Sequence, residues 1–219
     1  MKAEVISVKQ DQIVEAAIKR FSHFGINKTT LSEIALDLRI SKPSLFYYFN
    51  DKNSLMEAVC RKVIGELLEG FELVLSTADS VEEGLLKFIE IKRNHFKKYV
   101  LLAIQGDNID INKVSPQLLD QIAEGHKKTE SLIADLLKKG VDQQSLREID
   151  VAKTSHLLME TMQAFEQGIK CRKSMLESID IDILFDKQKE VIQLLINGVK
   201  NFHAKGANGT VSLSGHGKN

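Results

Sequence analysis

The sequence predicts an all-α protein, and three observations support that fold class. Apolar residues recur at three- and four-residue spacing through most of the chain, which is the pattern of amphipathic helices. Only two prolines occur in 219 residues, so few helices are interrupted. Ser, Thr or Asp stands ahead of most apolar stretches, where its side chain can cap a helix. A chain of this length can bury one or two cores.

The first helix is predicted to begin at Ser7, because Ser7 and Gln10 have the spacing of a capping box. Gly25 has the residue type that commonly ends a helix. Between them, one face carries an apolar stripe for packing on later helices. That stripe consists of Ile13, Ala16, Ala17, Phe21 and Phe24.

Residues 29–52, TTLSEIALDLRISKPSLFYYFNDK, predict two short helices joined by a tight turn, followed by the beginning of another helix. Thr30 and Glu33 form a capping box for the first. Ser41 is a good N-cap for the second, Lys42 to Phe49, which has a proline in its first turn. This pattern is typical of a helix-turn-helix.

The second of these helices cannot bury all of its aromatic residues. Leu45 and Phe49, four residues apart, face inward, which leaves tyrosines on the surface. Hydroxyls, ammonium groups and a helix N-terminus are the donors that phosphate oxygens need. The set that offers them consists of Tyr47, Tyr48, Lys42, Ser44 and Lys52. The alternative interpretation is that the tyrosines only cap a small hydrophobic core.

The charge distribution agrees with a DNA-facing N-terminal region. The whole chain has a net charge of zero, but residues 1–64 hold 10 Lys/Arg against 7 Asp/Glu. The remainder holds 20 against 23. A basic excess on one domain is typical of nucleic-acid binding.

At these residues the chain resembles the TetR family of bacterial transcriptional regulators, over about residues 8 to 60. The matching positions are Gly25, Thr29, Thr30, Ile34, Ala35, Ser41, Lys42, Leu45 to Phe49, Lys52 and Leu55. The resemblance implies phosphate contacts for Thr30, Lys42, Tyr47, Tyr48 and Lys52. It also implies that the beginning of the recognition helix reaches base edges, where Pro43 and Ser44 stand, and we count Ser41 among the DNA-binding residues as well. We expect Ser44 to read a base and Pro43 to touch a thymine methyl group.

Three residues depart from the family pattern. Arg39 stands at the usual turn glycine, so the turn either avoids a positive φ or tolerates the strain of a long side chain there. Pro43 replaces a glycine and removes a backbone N–H. Phe46 replaces the first tyrosine and removes a hydroxyl.

A long fourth helix is predicted to begin after the N-cap Asp51 and to run towards Leu75. In the family that the chain resembles, this helix links effector binding to the spacing of the two DNA-binding heads. The predicted division is a helix-turn-helix DNA-binding domain at 1–52, a helical effector-binding and dimerisation domain at 53–204, and a flexible Gly/Ser-rich tail at 205–219.

Further cap signals divide the C-terminal domain. Helices are predicted from Val81 after Ser80, from Pro116 to Gly140, from Asp150 to about Lys173, and from Asp186 to about His203. Residues 107–114 are expected to form a loop. For residues 174–185 we favour a loop with a helical turn over a short strand, although isoleucines alternate there.

The C-terminal domain offers candidates for an effector pocket and a dimer interface. The pocket candidates are Phe96, Tyr99, His126, Met159, Met162 and Phe165, because methionines adapt to apolar ligands. Plain helix packing or a dimer contact is the alternative for these residues. The resemblance implies a homodimer through the last two long helices. The apolar run that suits this role is Val191, Ile192, Leu194, Leu195, Ile196, Val199 and Phe202.

No metal, cofactor or catalytic site is predicted. His95, His126 and His156 fall on separate predicted helices without ligand spacing, and no hydrolase or nucleotide-binding motif occurs. No apolar stretch is long enough to span a membrane and no signal peptide is evident, so a cytoplasmic location is expected.

The sequence therefore predicts a homodimeric DNA-binding transcriptional regulator of palindromic operators. Repression relieved by a small apolar or amphipathic effector is what the resemblance implies, and activators also occur. The alternatives are a helical carrier or enzyme with a vestigial DNA-binding domain, and a helix-mediated interaction protein.

Overall fold

The computed structural model describes residues 2–99, 115–171 and 181–201, which form eight α-helices. They are α1 Lys2–Phe24, α2 Leu31–Asp37, α3 Lys42–Tyr48, α4 Lys52–Thr77, α5 Val81–Lys98, α6 Pro116–Asp142, α7 Val151–Cys171 and α8 Ile181–Val199. Within these ranges the only β pairing is an isolated antiparallel bridge between Leu146 and Lys200. The all-α prediction is confirmed.

The predicted caps begin the helices because each side chain satisfies a backbone N–H that has no partner inside the helix. Thr30 accepts from the Glu33 amide at 3.3 Å, Asp51 from the Ser54 amide at 2.7 Å and Ser115 from the Leu118 amide at 3.2 Å. The side chains of Ser41, Ser80 and Asp150 make the same type of bond. Six predicted helix beginnings are thereby confirmed.

Two predicted helix ends behave differently. Gly25 follows α1 with φ of 86°, the left-handed conformation that glycine tolerates, and confirms the predicted stop. Gly140 lies inside the last turn of α6, which ends two residues later. A Cβ at Gly140 would approach Val81 Cγ2 to 2.6 Å, so this glycine permits close packing of α6 on α5. The reversal after α6 occurs at Gln144, where φ is 58°.

Other predicted features are wrong. Helix α1 begins at Lys2, because Lys2, Ala3 and Glu4, three good helix formers, precede the capping pattern at Ser7. Phe24 is half-exposed, with the Arg20 guanidinium 5.5 Å from its ring centroid. Helix α8 begins at Ile181, so Asp186 is not its cap, and Ile181 and Ile183 lie on its first turn.

Parts of several predictions lie outside the described residues. These are the predicted loop at 107–114, the segment 174–180, Phe202, the predicted helix end near His203 and the tail at 205–219.

The buried apolar residues form two clusters. The N-terminal cluster joins α1, α2, α3 and the first turns of α4, with Ile13, Phe21, Ile34, Leu45 and Leu55 fully buried. The C-terminal cluster joins the rest of α4 to α5, α6, α7 and α8. Burying side chains of this size stabilises the fold by roughly 1.5–3 kcal/mol each.

Helix α4 has residues in both clusters. It packs against α1 on the N-terminal side and against α5 and α6 on the C-terminal side. Its 26 residues span about 39 Å. The length prediction is therefore confirmed, and α4 connects the N-terminal helices to the C-terminal helices.

Candidate nucleic-acid interface

The turn between α2 and α3 is held by backbone hydrogen bonds around Arg39. The Arg39 amide donates to the Leu36 carbonyl and the Ile40 amide donates to the Ala35 carbonyl, both at 3.0 Å. Arg39 has φ of 52°. Of the two alternatives for this position, the structure has the positive φ, with an exposed arginine where glycine would fit without strain.

One face of helix α3 is buried in the protein and the opposite face is exposed. Leu45 is fully buried and Phe49 nearly so, which fixes the rotation of the helix in the N-terminal cluster. Tyr47 is 72% exposed and Phe46 is 37% exposed, while Tyr48 is half-buried with its ring against Tyr47. The inward positions of Leu45 and Phe49 and the outward position of Tyr47 are confirmed, whereas Tyr48 packs partly against the N-terminal cluster.

The N-terminal end of α3 lies on the same open surface. Ser41, Lys42 and Pro43 are exposed, and Ser44 is half-buried. The Lys42 ammonium lies 5.6 Å from the centroid of the Phe46 ring, so the lysine side chain runs along the outer face of α3. The missing tyrosine hydroxyl at Phe46 is thus replaced by an apolar surface that orients a cation.

Lys52 lies at the first position of α4, next to this surface. It is half-buried, and burial lowers the pKa of its ammonium while the nearby Glu33 carboxylate raises it. A partly desolvated cation at this edge has less water to lose when it meets a phosphate.

Thr30 is exposed, but its hydroxyl and its backbone amide already donate hydrogen bonds to Glu33. The Thr30 hydroxyl donates to Glu33 Oε2 at 2.8 Å and the Thr30 amide donates to the same oxygen at 2.7 Å. These hydrogen bonds lower the pKa of Glu33 and keep it ionised. A phosphate at Thr30 must therefore compete with this carboxylate.

Ion pairs between charged residues behind the interface were not predicted from the sequence. Arg20 on α1 binds Asp37 on α2 and lies 3.4 Å from Glu33 Oε1. The capping pattern identified Glu33, but no sequence signal relates Arg20 to residues that lie 13 and 17 positions later.

The predicted effector-pocket residues are divided between different places. Met159 and Met162 are buried in the C-terminal cluster, and Phe96 packs against that cluster with its ring 6.1 Å from that of Phe185. Tyr99 instead lies in the N-terminal cluster. His126 is exposed, with Nδ1 3.2 Å from Gln163 Nε2. Phe165, the sixth candidate, is half-buried.

An open groove of about 560 Å³ lies between α5 and α8. Its lining includes Lys87, Glu90, Asp186, Lys189 and Glu190. This lining is largely charged and contains none of the predicted pocket residues.

Helices α7 and α8 present apolar side chains to solvent in the single chain. Leu194 is 71% exposed, and Ile183, Leu157 and Leu195 are also exposed. Ile192 and Ile196 from the predicted dimer run instead point into the C-terminal cluster. The run therefore has an inner face that packs the subunit and an outer face that is uncovered.

No group of three or more His, Cys, Asp or Glu residues in the described part of the chain could hold a metal ion. Among the described helices, none is both long and apolar enough to cross a membrane.

Comparison with known proteins agrees with this geometry. Residues 13–59 match the family model described as bacterial regulatory proteins, tetR family. The chain is 27% identical over 166 residues to the HTH-type transcriptional regulator RutR of Escherichia coli K12, covering 71% of this chain and 76% of RutR. It is 26% identical over 159 residues to the HTH-type transcriptional repressor KstR2 of Mycolicibacterium smegmatis, covering 70% and 75% of the two chains.

Solved structures extend the similarity of fold to the C-terminal helices. A transcriptional regulator from Cytophaga hutchinsonii superposes with a TM-score of 0.71 at 23% identity, covering 88% of this chain and 98% of that one. The TetR-family regulator PfmR from Thermus thermophilus gives a TM-score of 0.60 at 20% identity, covering 84% and 97%. The relatives are transcriptional regulators, which does not favour the carrier or enzyme alternative. The chain is a DNA-binding transcriptional regulator, and its residues 13–59 match the DNA-binding domain of the tetR family of bacterial regulatory proteins.

Proposed function

We propose that this protein is a homodimeric repressor that binds a palindromic operator and is released by a small apolar or amphipathic effector. Each subunit places α3 in the major groove, and the two-fold axis of the dimer requires two matching half-sites. The observation that carries the proposal is the outer face of α3, where exposed donors surround a helix that the N-terminal cluster holds rigidly.

The exposed residues divide into two groups by their chemistry. Lys42, Tyr47 and Lys52 offer ammonium and hydroxyl donors for phosphates, and Tyr48 adds a hydroxyl at the edge of the surface. Ser44 and Pro43 lie in the first turn of α3, the end that reaches base edges in a helix-turn-helix. Ser44 can exchange hydrogen bonds with a base, and the Pro43 ring can contact a thymine methyl group.

Ser41 and Thr30 contribute to this surface as helix caps. The Ser41 hydroxyl accepts from the Ser44 amide at 3.2 Å, which leaves its own proton to donate outward. Thr30 can contact a phosphate only by releasing one of its bonds to Glu33. We therefore expect a weaker contribution to DNA binding from Thr30 than from Lys42.

The exposed apolar face of α7 and α8 supports the homodimer. Leu157, Ile183 and Leu194 would lose contact with water when two copies pack these helices together. A two-fold axis between the paired α7 and α8 helices would relate the two copies of α3 to each other, so dimer and operator symmetry are tested together.

The effector proposal rests on the predicted pocket residues that lie in the C-terminal cluster. Met159 and Met162 belong to the C-terminal cluster and Phe96 packs against it, and their adaptable or flat side chains suit an apolar ligand. Tyr99 and His126 lie elsewhere, so they are left out of this proposed site. Binding there shifts the protein towards the conformation whose α3 spacing fits DNA less well.

Fluorescence anisotropy on a duplex selected from a random DNA library tests the DNA-binding surface. Affinity should fall steeply between about 100 and 300 mM NaCl, because bound phosphates displace counterions. Lys42→Ala together with Tyr47→Phe should weaken binding and reduce the slope of log affinity against log salt by about 0.9 per lost phosphate contact. Lys127→Ala removes an exposed charge from α6, and should leave both quantities unchanged.

Salt-independent affinity would contradict the proposed surface, as would full binding by the double variant. Reporter transcription from the selected operator determines the sign of regulation, since a repressor lowers transcription when its operator overlaps the promoter.

A further inference from the structure

Helix α4 changes its packing partner near its middle. Val59 and Val63 pack in the N-terminal cluster, whereas Leu67, Leu68 and Phe71 pack in the C-terminal cluster. Gly65 lies between these two sets. A Cβ atom at Gly65 would have no neighbour within 4 Å, so close packing does not require a glycine there. Because glycine weakens the interior of a helix, α4 has a soft point where it passes from one cluster to the other.

The last turn of α5 contacts α4 on both sides of this soft point. His95 Nε2 lies 2.9 Å from the Val63 carbonyl oxygen. The Tyr99 hydroxyl donates to Glu66 Oε2 at 2.6 Å, and Lys98 Nζ donates to the same oxygen at 2.9 Å. Two of these groups also meet edge to face, since the centroids of the His95 and Tyr99 rings are 4.8 Å apart.

Tyr99 also joins α5 to the DNA-facing helices directly. The body of α5 belongs to the C-terminal cluster through Leu85, Phe88 and Ile89. Tyr99, which follows the last residue of α5, is only 3% exposed and packs in the N-terminal cluster. Its ring thus sits in the core that anchors α3, while the rest of α5 packs in the C-terminal cluster.

The Glu66 carboxylate accepts the hydrogen bonds from Tyr99 and Lys98, and its charge strengthens them. Burial raises the pKa of Glu66, but the hydrogen bonds from Tyr99 and Lys98 outweigh burial and the net pKa is lowered. Glu66 therefore accepts both bonds as an anion, and bonds to a charged acceptor are stronger than neutral ones.

We propose, on the basis of the DNA-binding function above, that Tyr99 is a positioning residue for the DNA-binding surface. It bonds Glu66 across the joint at Gly65 and inserts its ring into the N-terminal cluster. In this arrangement the last turn of α5 and the first half of α4 move together. A change in the C-terminal helices then reaches α3 through Tyr99 and Glu66 as well as along α4, and by reciprocity DNA binding alters the last turn of α5.

Hydrogen–deuterium exchange of the full-length protein tests this coupling in two states. In the free protein, Tyr99→Phe removes only the hydroxyl and should speed amide exchange in residues 60–67 of α4. Adding a selected duplex should change exchange in residues 92–99 of the wild type by about fivefold, the lower end of typical coupling. Tyr99→Phe and Glu66→Gln should each abolish that change while α2 and α3 remain protected by DNA.

The matched control is Glu72→Gln, which removes a carboxylate from the same helix. Glu72 accepts a bond from Lys128 on α6 at 2.7 Å and lies away from the joint. Glu72→Gln should leave the DNA-induced change at 92–99 intact. If the wild type protects α3 on DNA without any change at 92–99, or if Tyr99→Phe behaves like Glu72→Gln in the free protein, the coupling role of Tyr99 is wrong.

Gly65→Ala tests the joint itself. Alanine should slow exchange around residues 64–69, since it fits the open space and favours the helix. Gly198→Ala is the control at another open glycine, in α8, and should leave α4 unchanged. Faster exchange in Gly65→Ala would contradict a soft point at this position. Failure to bind any duplex would contradict the proposed function alone, because the free-protein measurements do not depend on DNA.

Discussion

Arg20 and Asp37 form a two-pronged ion pair that ties α1 to α2, with Nη2 3.0 Å from Oδ1 and Nε bonded to the other carboxylate oxygen. These hydrogen bonds lower the pKa of Asp37 and raise that of Arg20. Arg20 Nη1 also lies 3.4 Å from Glu33, the residue that caps α2 together with Thr30. One guanidinium therefore fixes both ends of the helix that supports the recognition helix.

Arg20→Ala should weaken DNA binding without removing a phosphate contact. Loss of the guanidinium leaves α2 free to shift, so affinity falls at every salt concentration while the slope of log affinity against log salt stays the same. Anisotropy titrations at several NaCl concentrations measure both quantities. Lys19→Ala is the control, because it removes a neighbouring exposed charge without removing those hydrogen bonds. A slope reduced only in Arg20→Ala would show instead that Arg20 touches the DNA backbone.

Replacing Arg39 should reveal the strain at the turn between α2 and α3. A left-handed residue other than glycine is strained by about 1–2 kcal/mol, while glycine loses about 0.5–1 kcal/mol through its greater freedom in the unfolded chain. Arg39→Gly should therefore leave stability unchanged or raise it by up to about 1.5 kcal/mol. Arg39→Val should lower stability, because a β-branched residue tolerates positive φ least. Urea unfolding of both variants tests this order, and equal stabilities would contradict it.

The sequence predicted the caps and the helix-turn-helix because these features depend on neighbouring residues. Thr30 with Glu33, Ser41 and Asp51 act within one turn of helix, so their spacing is visible in the chain. The orientation of α3 followed from the four-residue spacing of Leu45 and Phe49.

Contacts between distant residues were not predictable in this way. Tyr99 is an aromatic residue of the type that often lines a pocket, but the packing of α5 on α4 places it in the N-terminal cluster. Asp186 resembles a cap, yet the helix that contains it begins earlier and the side chain meets Arg93 at 3.4 Å. The ion pairs of Arg20 with Asp37 and Glu33 also depend on tertiary packing.

Lowering the pH should destabilise the contact between α5 and α4 through His95. Burial lowers the pKa of His95, outweighing the opposite effects of the Val63 carbonyl and the Glu66 carboxylate, while Lys98 lowers it further. Because the unfolded chain binds this proton more readily than the folded protein, stability falls as pH decreases below about 6.5. His95→Gln should flatten that part of the stability profile, measured by urea unfolding between neutral and mildly acidic pH. His156 is exposed, and His156→Gln should preserve the wild-type profile. An unchanged profile in His95→Gln would show that another group governs the loss.

Leu194→Glu should disrupt the proposed dimer without unfolding the subunit. The Leu194 side chain is 71% exposed in the single chain, so a glutamate there contacts water in a monomer but is buried and unpaired between two subunits. Light scattering coupled to size exclusion should show the mass of a monomer, with wild-type helicity by circular dichroism. Binding to a palindromic duplex should weaken strongly, because one α3 reads only one half-site. Gln193→Glu places the same charge on the adjacent exposed position, and should remain dimeric if that position lies at the rim of the interface. A dimeric Leu194→Glu protein with full operator affinity would show that the subunits meet through another surface.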